Sequence, residues 1–263
     1  MVMTHQAFGP LVGVPRLLAL LADYELHATF FVPGVTALRY PQTVEAILAG
    51  GHEIGHHSHN HVSPVDMSAS EEREDFGRAL EALRGQGVEV YGHRAAMWEA
   101  TWQTAALVAE HGLIYDSSLM DSDRPYVLST DAGEVAELCP FWGLDDWVQY
   151  GYLPRPAIGT EVRSPLVVAD AWIHELDAMR RYGALFVLTC HPFLSGRAGR
   201  VEGLRKVIEA GLSRGDVTFA TCREVAERSL ADAGTERRSH DPAGIDLSPY
   251  PGEARGEARG EPS

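Results

Sequence analysis

The sequence is poor in cysteine and in basic residues, and it has no long hydrophobic run. Its three cysteines, Cys139, Cys190 and Cys222, are far apart and form no C-x-x-C pattern. This argues against a disulfide framework or a thiolate zinc site and predicts free thiols in a reducing compartment. Lys and Arg number 22 against 37 acidic residues, so neither nucleic acid nor a membrane is expected as a partner. No stretch has the length of a membrane span and the first residues lack a signal-peptide pattern, so we expect a cytoplasmic protein.

Histidine, by contrast, is concentrated in one short segment. Five of the twelve histidines lie within ten positions, namely His52, His56, His57, His59 and His61. Neutral imidazole is a common ligand of zinc, and residues four apart, such as His57 and His61, share one face of a helical turn. A solvated His-rich loop is the alternative, but the density of the cluster favours a metal site. A catalytic zinc has three protein ligands, so a third ligand is expected from elsewhere in the chain.

The hydrophobic pattern alternates between strands and helices. Apolar runs predict strands at 28–32, 53–55, 88–91, 113–115, 184–190 and 217–220. Helices are predicted to begin near residues 15, 41, 68, 102, 165, 201 and 222. At 263 residues, this alternation predicts a single α/β domain with a parallel, barrel-like sheet. The pattern is poor from 121 to 163, which we interpret as a long connection that lines the site, and residues 231–263 are predicted to form a disordered tail.

Several polar residues stand just past the predicted strand ends. These are His57, His61, Arg94, Asp116 and His191. The carboxyl ends of the strands form the catalytic face of a β/α barrel, so these side chains are expected to converge although they are scattered in the sequence.

Short motifs in a fixed order run through most of the chain. They are Phe8-Gly9, Val12-Gly13-Val14-Pro15-Arg16, Thr29-Phe30-Phe31-Val32-Pro33-Gly34, Gly51-His52-Glu53-Ile54-Gly55 with His57 and His61, Arg94 with Trp98, Asp116-Ser117-Ser118-Leu119, and Leu188 with His191-Pro192. In this set the chain resembles the polysaccharide deacetylases with NodB homology, in the branch of peptidoglycan deacetylases and allantoinase-like proteins. The resemblance covers residues 7–230 and implies a distorted (β/α) barrel of seven or fewer strands, with 1–230 as the domain.

The resemblance implies a metal-dependent hydrolase of carbon–nitrogen bonds that removes N-acetyl groups from an amino-sugar polymer. His57 and His61 would hold a divalent metal, with zinc preferred. His191 would protonate the departing amine, although a structural histidine at a strand end is the alternative. Arg94 would orient an aspartate base, and a structural ion pair is an equally good interpretation of it.

Other residues are predicted to face the carbohydrate or small amide substrate. Trp98 would form a wall against a sugar ring, with core packing as the alternative. Asp145 and Asp146 would hold or polarise His191, although solvated loop acids are the commoner case. The remaining histidines of the cluster are interpreted as supporting or exposed residues, and His93 has no evident role.

The chain departs from the family in one respect. The first motif of the family is a strand that ends in paired aspartates, one the base and the other a metal ligand, and it is expected upstream of Phe8, where the given sequence does not contain it. A misplaced start or a fragment explains this better than a degenerate relative, because loss of an interior strand exposes sheet edges. We expect impaired activity in the chain as given. The alternatives are hydrolysis of a cyclic amide or ureide, and a non-catalytic glycan- or metal-binding relative; a homo-oligomer is also expected from the resemblance.

Overall fold

A seven-stranded sheet runs through the computed structural model, which describes residues 2–154, 157–159 and 161–239. Its strands are β1 (Thr29–Val32), β2 (Glu53–His56), β3 (Gly92–His93), β4 (Tyr115–Asp116), β5 (Tyr126–Thr130), β6 (Gly133–Glu137) and, after a separate pair β7 (Leu153–Pro154) and β8 (Ala157–Ile158), β9 (Arg237–Ser239). The order across the sheet is β1-β2-β3-β4-β6-β5-β9. All neighbours in it are parallel except the β5–β6 hairpin.

Helices surround this sheet, as the predicted α/β fold requires. They are α1 (Val2–Phe8), α2 (Val14–Ala22), α3 (Gly34–Arg39), α4 (Pro41–Ala49), α5 (Ala69–Arg84), α6 (Thr104–Glu110), α7 (Trp147–Tyr150), α8 (Pro165–Tyr182), α9 (Pro192–Ser195), α10 (Ala198–Ser213) and α11 (Cys222–Ala231). A π-helical turn at Gly9–Gly13 joins α1 to α2. No helix in the described part of the chain combines the length and the apolar character that a bilayer crossing needs.

The helix boundaries follow local signals in the sequence. Helix α5 begins at a capping box in which the Ser68 hydroxyl accepts from the Glu71 amide and the Glu71 carboxylate accepts from the Ser68 amide at 2.8 Å. Helix α8 begins with proline at its first position and ends before Gly183, whose φ of 63° is the left-handed conformation typical of a helix C-terminus. Such signals act within one turn of chain, which is why the predicted starts agree with the structure.

The two larger hydrophobic clusters of the described chain differ in composition, because only the first contains strand residues. One packs Ile54 of β2 and Val135 of β6 against Leu83 of α5 and Leu107 of α6. The other packs α2, α8 and α10 together around buried residues such as Trp172. Burial of side chains of this size contributes about 1.5–3 kcal/mol each to folding, so the two cores hold the strand ends at fixed positions.

Three predicted strands are wrong. Residues 184–190 and 217–220 form no ladder, apart from a single bridge between Thr189 and Asp145, and the predicted strand at 88–91 is shifted to Gly92–His93. An apolar run predicts burial, but a strand also needs a neighbour that accepts its hydrogen bonds. Within the described ranges, no strand pairs with the outer edge of β1.

The connection at 121–163 is more ordered than its sequence indicated. It contains the β5–β6 hairpin, and β9 pairs in parallel with β5. The sheet therefore continues past the predicted domain end at residue 230. The rest of the predicted tail, 240–263, lies outside the described residues.

Candidate active site

The carboxyl ends of three adjacent strands bring the polar residues together. His56 pairs in register with His93, and His93 pairs with Asp116, so β2, β3 and β4 end at the same level of the sheet. The residues that directly follow these three strands are His57, Arg94 and Ser117. Because parallel strands end on one side of the sheet, residues far apart in sequence share one site.

His57 and His61 form the predicted pair at this edge. Their ring centroids are 4.8 Å apart, and the rings meet edge to face at 77°. His57 Nδ1 donates to the Arg94 carbonyl oxygen at 2.7 Å, which leaves the lone pair on its Nε2 available. His61 has a φ of 57°, a strained conformation for a residue with a side chain, and its amide donates to the Ser58 hydroxyl at 2.9 Å.

The protonation of this pair suits metal binding. Burial lowers the pKa of His57 well below its usual value, and the neighbouring His61 lowers it further. The pKa of His61 is also lowered, first by desolvation and then by His191. Both rings are therefore neutral near pH 7, and neutral imidazole is the form that binds a metal. A hydrogen bond from Nδ1 to a carbonyl is also the usual way in which a ligating histidine is oriented.

His191 is held by the two aspartates before α7. Its Nδ1 donates to Asp146 Oδ1 at 2.7 Å, and Asp145 Oδ1 lies 3.7 Å from the same nitrogen. Asp146 Oδ2 accepts from the His191 amide and from the Ser195 hydroxyl. Asp145 and Asp146 are 3% and 0% exposed, so they are not solvated loop acids, and the group that they contact is the His191 ring rather than open solvent.

These carboxylates change the charge of His191. Burial lowers the pKa of His191, but the hydrogen bond and charge of Asp146, with the charge of Asp145, outweigh burial and raise the pKa above its usual value. Burial in turn raises the pKa of Asp145 to about 6. Arg94 links His191 to the histidine pair, because its carbonyl accepts from His57 and its guanidinium donates to the Thr189 hydroxyl, two residues before His191.

Replacing Asp146 with asparagine is expected to lower the pKa of His191 in the metal-free protein, measured by NMR titration of the ring. The pKa of His191 is higher in the folded than in the unfolded state, where it is about 6.5. The Asp146–His191 pair therefore stabilises the fold fully below about pH 6.5, and this contribution is lost as the pH rises through the folded-state pKa of His191. D146N should therefore cost about 1–3 kcal/mol at pH 5.5 and less at pH 9. The control is D170N, an exposed aspartate of α8. An unchanged His191 pKa in D146N would contradict this pairing.

Arg94 is buried at the centre of the site. Its guanidinium donates to the Ser117 carbonyl at 3.2 Å, to the Ser117 hydroxyl at 2.8 Å and to the Thr189 hydroxyl at 3.3 Å, and it lies 4.2 Å from the Phe31 ring centroid. Among the described residues no carboxylate is within ion-pair distance of it, so the alternative of a structural ion pair is not supported. A buried cation is costly without an anion, and the three hydrogen bonds and the Phe31 ring offset part of this cost.

Trp98 lies in a strained turn that follows Arg94. Both Met97 and Trp98 have left-handed backbones, with φ of 60° and 58°. Trp98 is 8% exposed, and its ring centroid is 4.5 Å from that of Trp142. The structure thus gives Trp98 a largely buried position against a second aromatic ring that the sequence did not single out.

A second layer of buried polar residues lies beneath the site. His93 Nδ1 lies 2.7 Å from Asp116 Oδ1, and His56 Nε2 lies 3.1 Å from the Phe76 carbonyl oxygen. His93 thus has a structural partner that the sequence did not indicate. His52 precedes β2 and accepts from the Ala28 amide at 3.2 Å, so it lies at the opposite end of the strand from His57.

Glu137 lies at the end of β6. The sequence did not indicate it as a site residue, because the pattern at 121–163 did not predict the β5–β6 hairpin. Its Oε1 accepts from the amides of Ser118 and Leu119 at 3.0 Å each, and its Oε2 has no partner. Burial raises the pKa of Glu137 well above its usual value, and the charge of Asp116 raises it further. Both effects favour the protonated form of this carboxyl group in the folded protein.

Replacing Glu137 with glutamine is expected to stabilise the protein at pH 8. The raised folded-state pKa means that the folded form binds a proton which the unfolded chain releases, so the wild-type stability falls as pH rises above the unfolded pKa. E137Q keeps the acceptor and has no such titration. Denaturant unfolding should show a gain of about 1–3 kcal/mol at pH 8 and little gain at pH 4.5. E45Q, at an exposed site of α4, is the control, and an equal effect at both pH values would contradict the explanation.

One further group of donors could hold an ion. Asp145, Asp146 and His191 present ligand atoms that all lie within 4.8 Å of one another. However, both oxygens of Asp146 and the Nδ1 of His191 are already hydrogen-bonded. The His57–His61 pair has free nitrogen lone pairs, so its donor set fits a metal better.

Comparison with known proteins points to one family. The sequence profile for the polysaccharide deacetylase domain matches residues 8–113. A peptidoglycan deacetylase from Helicobacter pylori is 29% identical over 250 residues, which cover 85% of each chain. A crystal structure of a protein from Mycobacterium smegmatis described as a polysaccharide deacetylase is 46% identical, with a TM-score of 0.87 over 90% of this chain and 83% of that one. An allantoinase at 23% identity shares the fold, with a TM-score of 0.77 over 88% and 76% of the two chains.

Proposed function

Since the chain belongs to the polysaccharide deacetylase family, we propose that it is a metal-dependent hydrolase that removes the acetyl group from an N-acetylated amino sugar. The observation that carries this proposal is the contact of His57 with His61 and the link from this pair to His191 through Arg94. The Arg94 carbonyl accepts from His57, and its guanidinium donates to the hydroxyl of Thr189, two residues before His191, which is held by the buried Asp146. Metal ligands and a proton donor side by side are the groups that amide hydrolysis needs.

The metal site would be formed by the imidazoles of His57 and His61, with zinc as the preferred ion. Two neutral nitrogen donors also suit cobalt, nickel or iron. When bound, a divalent ion makes water more acidic and polarises an amide carbonyl. The protein would favour the neutral form of both rings by burying them, and the Arg94 carbonyl would orient the His57 ring through its hydrogen bond.

His191 would supply the proton that the departing amine needs. An amine is a poor leaving group unless it is protonated, and the raised pKa of His191 keeps the proton on its ring near neutral pH. Since Nδ1 is held by Asp146, Nε2 is the nitrogen that can donate to the substrate. Asp146 would thus act on the substrate through His191.

Within the described ranges no carboxylate is positioned to act as the general base. We propose that this chain is a slow catalyst for this reason. Arg94 would orient a carboxylate, but within the described ranges none contacts it. Asp145 is not a substitute, because it lies 3.7 Å from His191 Nδ1 and accepts from the Trp147 amide. Without a placed base, catalysis should fall by about 10²–10⁴-fold.

The proposal is tested by measuring acetate release from the N-acetylglucosamine tetramer. Allantoin is assayed separately as the alternative substrate, and the Mycobacterium smegmatis protein serves as the reference. The expected result is zinc-dependent acetate release, slower than that of the reference, and no opening of the allantoin ring. Ring opening without acetate release would replace this function with ureide hydrolysis. Metal binding with turnover of neither substrate would indicate a non-catalytic glycan- or metal-binding protein.

A further inference from the structure

The short helix α9 is directly coupled to His191. The His191 carbonyl accepts from the amides of Leu194 and Ser195 at 2.8 and 2.9 Å, so His191 and α9 form one continuous unit. The Ser195 hydroxyl also donates to Asp146, the carboxylate that holds the His191 ring. A displacement of α9 therefore changes how His191 meets Asp146.

The π-helical turn between α1 and α2 lies against the backbone of α9. In this turn the Val14 amide donates to the Gly9 carbonyl, five residues back, where an α-helix would use the residue four back. A Cβ atom at Gly13 would lie 2.1 Å from the Pro192 carbonyl oxygen, and a Cβ atom at Gly196 would lie 2.3 Å from the Gly13 Cα atom. Carbon atoms pack at about 3.5 Å or more, so this contact has room for glycine alone on both sides.

Two side-chain contacts hold the same segments together. The Arg16 guanidinium, on α2, donates to the Gly196 carbonyl at 3.2 Å. The Arg197 guanidinium lies 3.5 Å from the centroid of the Phe8 ring, the last residue of α1. Both contacts involve the residues that follow α9 directly, so they fix its end against α1 and α2.

A row of aromatic rings joins α1 to the His191 ring itself. The Phe193 ring contacts His5 of α1 and also His191, with centroid separations of 5.2 and 5.7 Å. Trp147 is 6.2 Å from Phe193 and 6.0 Å from His191. The His191 ring thus packs against a side chain that α1 also contacts.

We propose that Gly13 and its π-helical turn are positioning elements for His191, because the turn sets how closely α9 approaches α2 and so keeps His191 aligned with Asp146. This inference rests on the proposed function and deepens it by naming the residues that support the proton donor. Misplacement by about 1 Å can cost a reaction about 10²-fold in rate, and π-helical turns are frequent at functional sites. Gly13 would act on the reaction through Pro192 and His191.

A contact that only stabilises the fold is the alternative, and other glycines provide matched controls. A Cβ atom at Gly9, in the same turn, would lie 3.4 Å from the nearest atom, the Phe193 amide nitrogen, which is an ordinary contact. A Cβ atom at Gly77, in α5, would meet nothing within 4 Å. Gly9→Ala and Gly77→Ala therefore make the same chemical change as Gly13→Ala without pushing α9.

NMR titration of the His191 ring in the metal-free protein tests the link without requiring turnover. The added methyl group of G13A must displace the Pro192 carbonyl by about 1 Å, which weakens the hydrogen bonds from His191 to Asp146. The His191 pKa should therefore be lower in G13A than in the wild-type protein. The two control variants should keep the wild-type value, and the His191 resonance is identified by its absence in H191A.

Rates of the zinc-loaded protein provide the second measurement. G13A should lower kcat for acetate release from the N-acetylglucosamine tetramer about 10–100-fold, with little change in KM. Hydrolysis of an aryl acetate should fall far less, because its phenolate leaves without a proton. The two control variants should keep the wild-type rates for both substrates.

A milder variant covers the case in which G13A does not fold. Arg16→Met removes the hydrogen bond to the Gly196 carbonyl and adds no atom to the glycine contact. Loss of one hydrogen bond corresponds to a factor of about 2–10, so acetate release should fall by about this factor, with a smaller loss for the ester and a lower His191 pKa. Circular dichroism and denaturant unfolding establish which variants are folded.

The outcomes separate this inference from the proposed function. A lowered His191 pKa in folded G13A, with no acetate release from the wild-type protein, would support the positioning role and overturn the deacetylase activity. A wild-type pKa and wild-type rates in G13A would overturn the positioning role alone. A parallel loss of amide and ester hydrolysis with an unchanged pKa would also overturn it, and if G13A is unfolded, an unchanged His191 pKa in R16M has the same meaning.

Discussion

Replacing either His57 or His61 with alanine is expected to abolish stoichiometric zinc binding, which we expect at one ion per chain in the wild-type protein. The two rings are 4.8 Å apart and desolvation favours their neutral form, so we expect each to supply one nitrogen to the same ion. Removing a ligand should weaken binding by more than the 10–100-fold that loss of an orienting partner costs. The measurement is competition with a chromogenic chelator, with metal content checked after dialysis.

The matched control for this experiment is H174A, which removes an exposed histidine of α8. Its zinc affinity should equal that of the wild-type protein. D145N provides the opposite test, because Asp145 belongs to the other group of possible ligands. If D145N lost zinc while H57A and H61A kept it, the metal would lie between the aspartates and His191, and the proposed assignment would be wrong.

The second large effect is expected at His191. H191A should lower kcat for acetate release from the N-acetylglucosamine tetramer by about 10²–10⁴-fold, the usual contribution of a general acid, with little change in KM. The loss should depend on the leaving group. An aryl acetate releases a phenolate that needs no proton, so its hydrolysis should fall far less than that of the amide.

This comparison separates a proton donor from a structural histidine. A purely structural role would reduce both reactions in parallel, because the site as a whole would be disturbed. H174A should leave both rates unchanged. An equal loss for ester and amide in H191A would therefore contradict the proposed role, and the direction of the His191 pKa shift in D146N provides an independent check on the same pair.

Some features of the site follow from the sequence alone, because they depend on short spans of chain. His57 and His61 are four residues apart, but they lie in a loop with left-handed backbone at Ser58 and His61 and not in the helical turn that the spacing predicted. The capping box of Ser68 and Glu71 sets the start of α5. The strand ends could also be predicted for β1, where the hydrophobic run stops at Pro33, and for β2, where it runs into the histidines. These local signals were sufficient to predict the fold class and to place His57 and Arg94 at one edge of the sheet.

Other features were decided only by the tertiary structure. The sequence could not show that Asp146 is completely buried against His191, since burial of a carboxylate depends on groups that lie 45 residues away. It also missed the β5–β6 hairpin, and with it Glu137. The run at 184–190 has the composition of a strand, yet strand formation requires a partner at hydrogen-bonding distance.

The chain itself thus indicated which residues are candidates for the chemistry, through spacing, caps and the point at which each apolar run ends. The folded structure determined which of them meet. Strand ladders, buried ion pairs and aromatic stacks join residues from distant segments of the chain. The energies of these contacts depend on distances between the segments, which no local sequence pattern encodes. The pairing of Trp98 with Trp142 and the isolation of Arg94 from any carboxylate among the described residues are two such outcomes.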